Sequence, residues 1–143
     1  MTDLNKAPYA ALVLRVALGV LALAHGLMKI IVFTPAGTVG FFESLGLPGA
    51  LAYLTIAVEV VGGLALIAGV LTRYVAIAMV PILIGSIVFA HWSAGWVFSN
   101  EGGGWEYPAF WAVALIVQAL LGDGAYAWKP GTRRQVGATA TSA

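Results

Sequence analysis

The sequence predicts an all-α fold: a four-transmembrane-helix bundle with a short interfacial helix between the first and second spans. Three observations carry this. Hydrophobic residues make up 61% of the 143 positions and charged residues 9%, with a mean hydropathy of +0.94, a balance foreign to the surface of a water-soluble domain. The length holds about four spans of some twenty residues with short connections, and leaves nothing for a separate soluble domain. The apolar runs are broken at intervals by Gly, Pro and polar clusters that read as connections. Residues 1–128 therefore form one transmembrane domain, and 129–143 is expected to be a disordered, basic cytoplasmic tail.

The first span runs from Tyr9 to Val32. Arg15, Gly19, Ala22, Gly26 and Lys29 recur at steps of three or four and line one face, with His25 beside them. A cleavable signal peptide is the rival reading, since Ala22-Leu23-Ala24 would serve as a cleavage site; Arg15 shortens the apolar core and Asp3 weakens the leader, so the span is expected to be retained. Thr34-Pro35 then reads as a helix cap and first turn, followed by Val39, Phe41, Phe42 and Leu45 up to the break at Gly46-Leu47-Pro48-Gly49. That segment is too short to span and too apolar for water, hence a helix at the interface.

In the second span Ala52, Thr55, Glu59, Gly62, Gly63 and Leu66 share a face. Eleven Leu, Ile and Val between Leu51 and Leu71 supply roughly 3 to 7 kcal/mol of insertion, enough to carry one carboxylate costing about 3 kcal/mol. Leu71-Thr72-Arg73 connects to a third span over Tyr74 to Phe98, with a kink expected at Pro81 and a stripe of Gly85, Val88, His91 and Gly95. After the glycine-rich loop, Glu106-Tyr107-Pro108 opens a fourth span to about Tyr126, its inward stripe Trp111, Ala114, Gln118 and Leu121.

Charge bias orients the bundle. Lys6, Arg73, Lys129, Arg133 and Arg134 fall on one side and Lys29 on the other, which predicts a multi-pass protein of the cell membrane with both termini cytoplasmic. Net charge is +1 with no basic cluster before the tail, so no nucleic-acid partner is expected; the partner is the lipid bilayer. Cysteine is absent, which excludes disulfide relays, thiolate metal sites and covalently attached haem.

Depth suggests which polar groups meet. At 1.5 Å per residue, Glu59 and Gln118 fall near the midplane, Arg15 and Asp123 within about two turns of the inner face, and His25 and His91 within about two turns of the outer one. Arg15 is expected to reach Glu59 or to pair with Asp123. Such a pair fixes the bundle without chemistry, or else Glu59, the candidate catalytic residue, exchanges a proton with a bound molecule. The two histidines read as satisfied polar groups near the headgroups, as a pocket for a quinone or phenolic head, or as haem ligands on two spans. Haem is not expected, because glycine-lined helices pack tightly. No metal site is expected, because the Glu/His pairs of carboxylate di-metal bundles are missing.

Arg15-x3-Gly19-x5-His25-Gly26-x2-Lys29, Gly46-Leu47-Pro48, and Glu59-x2-Gly62-Gly63-x5-Gly69-x2-Thr72-Arg73 together resemble the DoxX family of small four-span membrane proteins. His91, Gly95, Gly102-Gly103-Gly104, Glu106-Tyr107 and Gly122-Asp123-Gly124-Ala125-Tyr126 fit the same pattern, so the likeness covers Ala10 to Tyr126. Ala127-Trp128 departs from it where the family often continues Ser-Leu-Asp. The resemblance implies a membrane bundle tied to quinone-linked oxidoreductase complexes and oxidative stress, with partner subunits and a small lipophilic ligand. By position it implies Arg15, His25, Lys29, Glu59, His91 and Glu106 as ligand-binding residues. Two other classes stay open: a non-catalytic scaffold or assembly factor, and a small proton-coupled permease using Glu59. The oligomeric state is open too.

Overall fold

The computed structural model describes residues 5–128; the leader 1–4 and the basic tail 129–143 lie outside the described residues. Every regular element among the described residues is helical. Helix α1 spans Ala7–Ile31, α2 Pro35–Ser44, α3 Ala50–Ala68, α4 Thr72–Gly85 and α5 Glu106–Leu121. A π-helical stretch Ser86–His91 and a 3-10 turn Trp92–Ala94 prolong α4. Among the described residues three helices are long and apolar enough to cross a membrane: Ala7–Ile31, Ala50–Ala68 and the composite Thr72–Ala94. The fourth, α5, is apolar but only 16 residues long, about 24 Å of helix against a hydrocarbon layer of about 30 Å. It ends at Leu121 rather than near Tyr126, because Gly122 turns the chain away with φ of 82°.

Helices α1 and α3 form the most extensive interface and α4 with α5 the next, with α3 against α4 joining the two pairs. Backbone approach makes the first interface. A Cβ on Gly19 would lie 2.8 Å from the Gly63 carbonyl oxygen, and one on Gly63 would lie 2.7 Å from the Leu23 nitrogen. In lipid, where burying apolar surface drives nothing, this closeness supplies the van der Waals contact that holds helices together. Leu18, Ala22, Leu66, Ala76, Met79, Leu83, Trp111, Ala112, Leu115 and Ala119 fill the centre.

The expected faces of α1 and α3 are the buried ones, including Arg15, Gly19, Ala22 and Gly26 on the first and all six anticipated positions on the second. Those of the second half are corrected. Helix α4 turns Thr72, Ala76, Met79 and Leu83 inward, Val88 is exposed, and a Cβ on Gly85 would meet nothing within 4 Å. Helix α5 buries Trp111 and Gln118 as expected but presents Leu115 and Ala119 with them, and Leu121 is exposed. Pro81 is accommodated inside α4, and the departure from α geometry comes later, at Ser86–His91.

Short α2 begins as its sequence indicates: Thr34 accepts a hydrogen bond from the Gly37 amide and Pro35 occupies the first turn. Its Thr38 hydroxyl donates to the Lys29 and Thr34 carbonyls, fastening α2 across the end of α1. At the other end α3 stops in a left-handed Gly69, with the Val70 amide on the Ala65 carbonyl and the Gly69 amide on that of Leu66. There the Ala125 amide donates to Pro8 and the Trp128 amide to Ala68, so the start of α1, the end of α3 and the segment after α5 meet at one end of the bundle.

Candidate functional site

Helices α1 and α3 run antiparallel, and a side chain leaves a helix tilted toward that helix's own N-terminus. On α1 this sends the Lys29 stem back toward the bundle centre; on α3 it sends Glu59 the opposite way, toward Lys29. The two meet as a bidentate ion pair, with Lys29 Nζ donating to both Glu59 carboxylate oxygens at 2.8 Å. The Glu59 side chain is 6% exposed and that of Lys29 19%. Gly26 lies beneath the pair, where a Cβ would stand 3.1 Å from Glu59 Cβ and 2.7 Å from Val60 Cγ2.

By the same tilt Arg15 points away from Glu59. The expected Arg15 to Glu59 contact is not made, because Glu59 is level with the Gly26 turn of α1, eleven residues or about 16 Å further along. Arg15, 1% exposed, instead gives Nη1 to the carbonyls of Leu66 and Ile67, 3.0 and 3.2 Å, and Nη2 to that of Ala125, 3.1 Å. A guanidinium there satisfies the free carbonyls of a helix C-terminus and complements its partial negative charge. Asp123 lies within electrostatic reach of it. Arg73 repeats the device on α5, its Nε donating to the Ala119 carbonyl at 3.0 Å.

His25 is near the Glu59 carboxylate and half-buried. Its Nδ1 donates to the Leu21 carbonyl at 2.8 Å, a carbonyl being able only to accept, so Nε2 carries the lone pair when the ring is neutral. The imidazole lies 5.0 Å from the Trp111 ring and 6.2 Å, nearly parallel, from Tyr107. Trp111 is 4% exposed, and its indole Nε1 has no hydrogen-bond partner among protein atoms. A buried N–H without an acceptor costs about 1–3 kcal/mol, so it marks a place where an acceptor would be welcome.

The remaining two positions belong to the glycine-rich loop. His91 Nδ1 donates to Gly103 and Gly102 carbonyls at 2.8 and 3.2 Å, and Glu106 accepts from the Phe98 amide at 2.8 Å. Trp105 stacks on Trp92 and meets Trp96 edge-on, closing the loop over the end of α5. Of the six positions, His25, Lys29 and Glu59 thus come together, His91 and Glu106 hold a loop, and Arg15 works at the opposite end. Sequence reasoning placed Trp111 on an inward stripe and Tyr107 at the opening of the fourth span without joining either to the site. Their spacing of four on α5, which stacks both rings on one face, was the available signal. Among the described residues no three His, Asp or Glu side chains are grouped to hold a metal ion.

The DoxX family model matches residues 10–92, which include all of α1 but its first turn, the whole of α2 and α3, and α4 through the π-helical stretch. The chain belongs to the DoxX family. His25, Lys29 and Glu59 all fall within the matched region, and Tyr107 and Trp111 beyond it. A Bacillus subtilis (strain 168) protein named "Putative oxidoreductase CatD" is 40% identical over 77 residues, which is 54% of this chain. The match covers 56% of that relative's length. No solved structure matches.

Proposed function

We propose that this DoxX protein is the membrane-embedded subunit of a quinone-linked oxidoreductase of the cell membrane, with both termini cytoplasmic. The observation that carries the reading is the buried cluster of Lys29, Glu59, His25 and Trp111. A quinone presents two carbonyl acceptors on a planar ring, and the orphaned Trp111 N–H is a donor set among aromatic faces. His25 Nε2 and the Glu59 carboxylate are the proton-exchanging groups beside it, and Lys29 holds the carboxylate in place. Electrons would come from a donor in a partner subunit. The name of the Bacillus relative, an oxidoreductase, supports the reaction class. The orientation rests on the bias of Lys and Arg.

The ion pair favours a second reading, that of a scaffold. A closed bidentate pair already satisfies both charges and ties α1 to α3 without any ligand. Mass spectrometry of protein purified in detergent separates the two. Quinone should copurify with the wild type and fall about tenfold in Trp111→Phe, which deletes the N–H and keeps a ring. Wild-type protein free of quinone, or equal amounts in both, would leave the scaffold.

A further inference from the structure

On the exposed side of α5 lies a groove of about 720 Å³ that the reading above does not use. Trp96, Phe98, Tyr107 and Phe110 supply aromatic walls, Ala109 and Val113 the rest of the apolar surface, and Glu106 the charge. We propose that this groove binds lipid-soluble phenols, hydroquinones among them, with Glu106 accepting the ligand's O–H.

Four aromatic side chains around one space suit a planar ring, which offset or edge contacts can grip from several sides. The carboxylate decides the polarity of the head. Glu106 spends one oxygen on the Phe98 amide, and a carboxylate can only accept, so its second oxygen calls for a ligand that donates. A hydroxyl on the ring meets this; a quinone carbonyl or an ether oxygen does not. The first turn of α5 is also where an acidic side chain is favoured by the helix dipole.

The groove is placed for an amphiphile. Trp92, Trp96 and Trp105 cluster beside Glu106 as tryptophans do at the water boundary of a bilayer, while Phe110 and Val113, both exposed, continue along α5 into the apolar zone. Head and tail of a membrane phenol would thus meet the surface each prefers. Tyr107 stands between the groove and the buried cluster, its ring 5.9 Å from Phe98 on one side and 6.2 Å from His25 and 5.9 Å from Trp111 on the other. The phenol reading stands on the groove alone; only a transfer of ligand past Tyr107 would rest on the quinone reading.

The test uses the full chain in phosphatidylcholine nanodiscs with decylhydroquinone, its dimethyl ether and decylamine as probes, following saturable quenching of tryptophan fluorescence. Hydroquinone should bind at least tenfold more tightly than the ether, in keeping with a hydrogen bond to a charged acceptor. Glu106→Gln should weaken it about tenfold, since Gln still accepts from the Phe98 amide but loses the charge. Phe110→Ala, at a position 74% exposed and so harmless to the core, should weaken it as well. Leu120→Ala, 76% exposed on α5 and outside both the groove and the buried cluster, should leave phenol binding unchanged. Absence of saturable binding, equal affinity for the ether, displacement by decylamine at equal concentration, or full binding by either groove variant would overturn the proposal.

Discussion

Removing either partner of the Lys29–Glu59 pair should not cost the same. In Lys29→Met the carboxylate stays at the centre of α3, 6% exposed, with its two hydrogen bonds gone. Breaking a buried pair in this way costs about 3–5 kcal/mol. In Glu59→Gln the stranded charge is Lys29, third from the end of α1 and 19% exposed, whose four-carbon stem can swing the ammonium toward the headgroups. That loss should be about 1–2 kcal/mol, near the net worth of a charged hydrogen bond. The double variant leaves no charge behind and should lie close to the Glu59→Gln value, so the coupling energy equals the Lys29→Met loss in size, about 3–5 kcal/mol. Reversible unfolding in mixed micelles, followed by circular dichroism for the four proteins of the cycle, measures it. Coupling below about 0.5 kcal/mol, or a larger loss in Glu59→Gln than in Lys29→Met, would refute the argument from side-chain tilt and depth. Quinone content of the same four proteins bears on function: a double variant that is stable yet empty favours the ligand site, and one that is stable and still loaded favours a purely structural pair.

Further expectations concern other parts of the bundle. Arg15→Met removes three hydrogen bonds from one buried guanidinium and should cost about 3 kcal/mol or more; hydrogen exchange should rise at the Ala125 and Trp128 amides, and Arg15→Lys, lacking the planar fork, should rescue little. Gly63→Ala should force α1 and α3 apart and lower the unfolding temperature, whereas Gly85→Ala, with open space around it, should be neutral or stabilising by up to about 1 kcal/mol. Purified protein should show no Soret absorbance; a band present in the wild type and lost in His91→Ala would contradict the expectation. A C-terminal reporter should be active only in the cytoplasm, and activity outside the membrane would reverse the proposed orientation.

Much of this protein follows from composition and spacing alone. Long apolar runs with few charges can satisfy their backbone in lipid only as helices, so the helical class and the approximate spans are legible without coordinates. The glycine steps at Gly19, Gly26, Gly62 and Gly63 likewise reveal the α1 and α3 faces, since close approach needs small residues at helical period. Partner choice among the buried charges is different. Counting residues from a membrane edge leaves Arg15 to reach Glu59 or to pair with Asp123, yet the slide of α1 along α3 is set by the glycine contacts, and it puts Glu59 beside Gly26 and within reach of Lys29. Side-chain tilt then sends Arg15 to the C-terminus of α3. The rotation of α4 and α5, which exposes Val88 and Leu121 and frees the space around Gly85, is decided by how four surfaces fill one core, and no single helix encodes that in its own period. The meeting of His25 with Trp111 and Tyr107 joins residues more than eighty positions apart, and only the packing of the first helix against the last creates it.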